Sequence, residues 1–124
     1  DDIMQCREDQ AFAIADIAHQ ESIFNNLPIL ILGYAFKPGL TMTDGSPALL
    51  IQNILFDLGM KCKMHDPLID QSLWDENMLP YVIIIGCNHK CISEYKFSRN
   101  SIVIDPFGII KDQEGIIVKR IGRK

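Results

Sequence analysis

Apolar and polar positions along this chain follow two rhythms. From about Asp9 to Phe24 the rhythm is helical, with Ala13, Ile14, Ile17 and Phe24 predicted on one side and Gln20 interrupting it. Asn25-Asn26 then stops the helix. Leu27 to Leu32 is a continuous apolar run, too short for a membrane span and too unbroken for a half-exposed strand, so it reads as a strand buried on both faces. Gly33 ends the run. Lys37-Pro38-Gly39 is turn-forming, and Pro38 biases Lys37 toward an extended backbone. Ser46-Pro47 opens a second helix by supplying a side-chain oxygen for an orphan N–H, followed by a residue suited to the first helical position. Ile51, Ile54, Leu55 and Leu58 recur behind it at helical spacing, and Gly59 stands where a left-handed C-terminal residue is expected.

Further along, Lys61 to His65 alternates enough for a strand near a sheet edge, with Cys62 pointing inward between two lysines. Gln71 to Asn77 is predicted as a short helix anchored by Trp74. Pro80 to Gly86 is predicted as a central strand, Ile102 to Asp105 as another, and Gly115 to Val118 as a final edge strand. Strand-like runs that alternate with helical segments predict an α/β fold: a Rossmann-like open sheet of about five mainly parallel strands with helices on both faces.

Composition narrows the function classes. The chain has 124 residues, 48% of them apolar, and a net charge of −4. That suits one soluble domain with a substantial core. The acidic balance argues against nucleic acid as a main partner, because a phosphate backbone calls for clustered Lys and Arg. The basic cluster, Lys119-Arg120 with Arg123-Lys124, reads as a solvated tail. With no signal peptide and no membrane-length apolar run, the expected location is cytoplasmic, with reduced thiols and no membrane partner. The abrupt start suggests a fragment or a truncated gene.

The candidate chemistry lies mainly in the first strand–loop–helix unit. A helix N-terminus facing a loop with a Lys suits an anion, since the free N–H groups, the helix dipole and the ammonium all favour phosphate. On the residues alone the stronger reading is the simpler one, since a single Lys in a turn is usually solvated. Gly33, Gly39 and Gly45 are six apart, so neither the dinucleotide fingerprint nor the P-loop pattern is present. Asp66, after the second strand, can bond a ribose hydroxyl or cap the next turn, and capping is the simpler reading. Cys87 and Cys91 flank Asn88-His89-Lys90, but no second ligand pair accompanies them, so no metal site is expected. His19, His65 and His89 lack a carboxylate or Ser partner at a telling spacing; His89, past a central strand, is the one nearest a site.

Gly33-Tyr34-Ala35-Phe36-Lys37-Pro38, then Ser46-Pro47, an amphipathic helix, Gly59, a strand and Asp66-Pro67 together resemble the C-terminal domain of the UDP-glucose/GDP-mannose dehydrogenases. Val82 to Gly86 followed by Asn88-His89, and Ser101 to Asp105, extend the resemblance over about residues 27–124. The resemblance implies a C-terminal nucleotide-sugar-binding α/β domain at 27–124, preceded by a helical linker at 1–26 from a missing central domain. It also implies an NAD-dependent oxidation of a sugar C6 alcohol to a carboxylate. NAD would be bound by a missing N-terminal domain, and the full-length protein would be a homodimer. Phe36 and Lys37 match the pair that contacts the UDP-sugar or GDP-sugar, with Lys37 supplying charge and the backbone at Phe36 lining the pocket.

The family's nucleophilic Cys lies in a Gly-rich motif of the central domain, so Cys6, Cys62, Cys87 and Cys91 do not inherit its role. No catalytic residue is expected here, and the chain alone should be inactive. Two departures stand out: Asp44 and Phe107 occupy positions where the family has Arg. They keep two alternatives open, a degenerate remnant serving protein association and an unrelated nucleotide-binding regulatory domain.

Overall fold

The computed structural model describes residues 2–33, 47–66, 79–86, 92 and 94–120, with residues 2–10 and Pro47 described through their backbone alone. Helix α1 runs from Asp2 to Asn25, about two turns further toward the N-terminus than the sequence pattern predicts. It ends as Asn25-Asn26 suggests. Asn26 takes a left-handed φ of 56°, and the Leu27 N–H donates to the Ser22 carbonyl at 3.1 Å, which closes the helix end.

Among the described residues five short strands follow: β1 (Ile29–Leu32), β2 (Cys62–His65), β3 (Val82–Ile85), β4 (Ile102–Asp105) and β5 (Ile117–Arg120). Helix α2 (Pro47–Asp57) lies between β1 and β2. It starts at Pro47 as expected and stops at Gly59, whose φ of 81° no side-chain-bearing residue adopts cheaply. The final strand begins two residues later than predicted, at Ile117 rather than Gly115.

All strand pairs are parallel, in the order β2-β1-β3-β4-β5. β2 and β5 are the edges, as expected, and β1, β3 and β4 are buried along their whole length. From β1 the chain steps outward to β2, then returns across β1 to β3 and continues in the opposite direction. That reversal leaves a crevice at the C-terminal ends of β1 and β3.

Side-chain alternation splits the core in two. Ile29, Ile31, Val82, Ile84 and Ile104 face the layer formed by α1 and α2. Leu30, Leu32, Ile83, Ile85 and Val103 face the other way, where Ile92, Phe97 and Ile110 cover them. Both described helices therefore sit on one face, and irregular segments cover the other among the described residues. The short helix expected at 71–77 lies outside those residues. Gln113 ties two of the covering segments together: its amide donates to the Tyr95 carbonyl at 2.8 Å and accepts from the Phe97 N–H at 3.0 Å.

The face that α1 buries differs from the expected one. Ala11, Ile14, Ala15 and Ala18 are buried, whereas Ala13 and Phe24 are exposed and Ile17 is half-buried. Small side chains explain the shift. Alanines spaced four and three apart let the helix backbone approach α2 and the sheet closely, and that gain outweighs burial of one bulky Phe near the helix end. α1 is consequently apolar on two sides, with Phe12, Ile23 and Phe24 left in solvent. No described helix is long and apolar enough to cross a membrane.

Candidate functional site

In open parallel sheets, ligands collect outside the C-terminal ends of strands where the strand order reverses, here between β1 and β3. Gly33 and Gly86 are the first residues past those two strands. The Gly33 N–H donates to the His65 carbonyl at 2.7 Å and the Gly86 N–H to the Leu32 carbonyl at 2.8 Å, so backbone pairing continues to the rim. Gly86 has no room for a side chain. A Cβ there would run into the Gly33 carbonyl oxygen and stand 2.8 Å from Ala48 Cβ. This close approach seats the first turn of α2 on the strand ends. The positive end of the helix dipole consequently lies at the crevice, an arrangement suited to an anion.

Gly33 and Pro47 are both described, and between them runs the segment carrying Phe36, Lys37 and Asp44. Those three residues, with Ser46, lie outside the described residues, as do Pro67, Trp74, Cys87, His89 and Cys91. Among the described residues no group of His, Cys, Asp and Glu could hold a metal ion.

Two acids close the rim. Asp66, directly after β2, is fully buried, which favours the structural role over contact with a ribose hydroxyl. Asp105 ends β4 and is also fully buried. Its Oδ1 accepts from the Phe107 N–H at 3.1 Å and the Gly108 N–H at 2.9 Å, and its Oδ2 accepts from the Ile110 N–H at 2.8 Å. The carboxylate is thereby committed to shaping the loop after β4. Asp105-Pro106-Phe107-Gly108 carries the turn-forming residue types that signal such a loop. Nothing in the local pattern announces the contact between Gly86 and Ala48, because the two residues meet only when the strands align.

The remaining predicted residues lie away from the crevice or serve the fold. His19 is half-buried on α1 and His65 half-buried on β2. Cys62 is half-buried against the helix-side core rather than fully inside it, and burial pushes its thiol pKa up. Lys119, on the helix-facing side of β5, pairs with Glu21 of α1 at 2.7 Å. Arg120 donates to the Ile110 carbonyl at 2.6 Å and also pairs with Asp112. It is therefore held at the β5 edge, away from the crevice. A hollow of about 430 Å³ opens at the opposite end of the sheet, among Asn25, Leu27, Pro80, Asn100 and Ile117. It lies at strand N-termini, the end where parallel sheets seldom bind ligands.

No family model matches the chain, and no curated protein does. Among solved structures, UDP-D-ManNAc dehydrogenase from Pyrococcus horikoshii is similar, with 25% identity and a TM-score of 0.62 over 89% of this chain. The chain spans 30% of that protein's length. The motifs around Gly33, Pro47 and Asp66 and the three-dimensional likeness thus agree: this chain resembles a UDP-sugar dehydrogenase both in sequence and in fold.

Proposed function

We propose that this chain is the nucleotide-sugar-binding domain of an NAD-dependent nucleotide-sugar 6-dehydrogenase, with the α/β domain at 27–124 and a connecting helix before it. The likeness to UDP-D-ManNAc dehydrogenase over nearly nine-tenths of the chain carries this reading. Chain geometry supports it. Lys37 is four residues from Gly33, so its Cα lies within about 14 Å of the crevice rim even if the backbone between is fully extended. Its ammonium and the start of α2 would share the charge of a diphosphate, while the backbone at Phe36 lines the pocket. In the whole protein the ligand is a UDP-sugar or GDP-sugar and the assembly a homodimer.

NAD does not fit the residues present. Its diphosphate would need closely spaced glycines after β1, and its ribose an accessible acid after β2. The glycines at 33, 39 and 45 are too far apart, and Asp66 is fully buried. The reading therefore leaves NAD, and the oxidation itself, to other parts of the protein.

Titrating the isotope-labelled chain with UDP while following backbone amides tests the proposal. Signals of Gly33, Ala48 and Gly86 should shift in a saturable way, and Lys37→Ala should remove the effect. Absence of any shift at millimolar UDP or UDP-sugar would overturn it. That outcome would favour a second reading, in which the fold is retained for protein association, motivated by Phe12, Ile23 and Phe24 exposed along α1.

A further inference from the structure

Among the described residues, most large apolar side chains left in solvent gather at one end of the sheet, the end opposite the crevice. Helix α1 stops at Asn25 just before β1, and α2 at Asp57 just before β2, so both helices end level with the strand N-termini. Their last turns carry Ile23, Phe24 and Phe56, with Leu58 one residue beyond, exposed to between 46% and 87%. Leu79, three residues before β3, is 78% exposed, and Ile117, the first residue of β5, 57%. At roughly 150–250 Å² for a large apolar side chain, these six leave on the order of 600–1,000 Å² of apolar surface in solvent. That is more than an ordinary monomer shows in one patch, and it matches the roughly 800 Å² per partner that a stable interface buries. The hollow of about 430 Å³ opens at this same end. Leu27, Pro80, Ile102 and Ile117 line it with apolar surface, and the polar residues of its wall, Asn25, Asn100 and Ser101, are uncharged. The charges flanking it are balanced. Glu21 pairs with Lys119 at 2.7 Å and Arg99 stands 4.0 Å from Glu114, while Asp57 and Lys61, toward β2, are of opposite sign.

We propose that this end of the sheet is a self-association surface on which a second copy of the chain docks, Leu79 of each copy entering the hollow of the other. Charge balance selects that occupant. The chain as a whole carries −4, so most of its surface repels its own copy, but this end does not. It also has nothing to attract nucleic acid, an anionic membrane or a charged peptide. Shape agrees. Leu79 adjoins Pro80 at the rim, so a protruding side chain and a hollow larger than it lie side by side. A two-fold axis between them lets each copy fill the other, as a contact between identical surfaces requires. The contact goes beyond the nucleotide-sugar reading and does not depend on it, since the crevice stays open at the far end of both copies. Where other parts of a longer protein already pair two copies, this contact joins the pairs.

Sedimentation velocity of the chain from micromolar to millimolar concentration tests the proposal. A reversible dimer should form as concentration rises, and added salt should not dissolve it, because no net charge faces the contact. Leu79→Glu places an unpaired carboxylate at the contact without touching the core, and should weaken dimerisation about thirtyfold or more. Ile117→Thr, which keeps the strand propensity of β5, is a second variant that should weaken it too. Phe12→Ser, about 18 Å up α1 from Phe24, should leave it unchanged. Circular dichroism and urea unfolding show whether each variant is folded. In the labelled chain, amide signals of Ile102, Gly115 and Ile117 should move with concentration while those of Gly33 and Gly86 stay in place. A chain that remains monomeric at millimolar concentration would overturn the proposal and leave this end to another partner or to other parts of the protein. A dimer that survives both Leu79→Glu and Ile117→Thr, or that Phe12→Ser dissolves, would overturn it as well. None of these outcomes turns on whether UDP binds.

Discussion

Replacing Asp105 by Ala should destabilise the chain far more than an ordinary rim substitution, because one carboxylate accepts three N–H groups at 3.1, 2.9 and 2.8 Å. The three losses are unequal. The Ile110 bond is buried, so water cannot replace it, and an unsatisfied donor of this kind costs about 1–3 kcal/mol. The Phe107 and Gly108 N–H groups are half-buried, and water can recover part of what they lose, leaving about 1 kcal/mol each. Together these give roughly 3–5 kcal/mol, a large share of the 5–15 kcal/mol typical of a whole domain. Asp105→Asn separates shape from charge. Its oxygen keeps two bonds, but its NH₂ group then faces the Ile110 N–H donor to donor, for a loss of about 1–3 kcal/mol. Urea unfolding followed by circular dichroism, compared at equal slopes, measures both variants. A loss below about 1 kcal/mol for Asp105→Ala, or equal losses for Ala and Asn, would refute the reasoning.

Two further outcomes follow from the packing. Gly86→Ala should cost about 3 kcal/mol or more, since the new methyl group overlaps the Gly33 carbonyl and crowds Ala48. Adding Ala48→Gly should restore only part of that loss in the same urea assay, because the carbonyl cannot move aside; full restoration would show the backbone contact to be unimportant. For Cys62, whose thiol pKa is raised by burial, the folded state holds its proton at a pH where the unfolded chain has lost it. Its contribution to stability is therefore complete below the ordinary thiol pKa and declines as pH rises through the folded value. In a variant with Cys6, Cys87 and Cys91 changed to Ser, alkylation of Cys62 should lag behind free cysteine until well above that ordinary range. A rate matching free cysteine would contradict the burial argument.

The strands were legible because each is an apolar run bounded by turn residues, and α2 because Pro47 and Gly59 mark its ends. The edge position of β2 was legible too, from lysines alternating with its inward-facing residues, whereas Lys119 and Arg120, which read as a solvated tail, belong to β5. The buried face of α1 was not. Reading hydrophobicity alone favoured Phe24 and Ile17, whereas close packing selected Ala11, Ala15 and Ala18, whose value lies in what they leave out. At the candidate site, the turn after Asp105 carries its own signal, but the meeting of Gly86 with Ala48 joins residues 38 positions apart and depends on strand register. Phe36 and Lys37 were identified by family resemblance, since a lone Lys in a turn has no local mark of function.

The strand order also governs how the chain must assemble. β1 is made first, yet both its neighbours come later: Ile29 meets Cys62 33 residues on and Val82 53 residues on. No hairpin can shelter it in the meantime, because every pairing is parallel and each requires a long loop to close before any contact rewards it. An emerging Ile29-Leu30-Ile31-Leu32 therefore remains open on both edges until β2 has been synthesised, and on one edge until β3 has been. The segment that anchors the finished crevice is then also the one most exposed to wrong pairing during folding, and Gly33, immediately beyond it, limits how far such a pairing could extend.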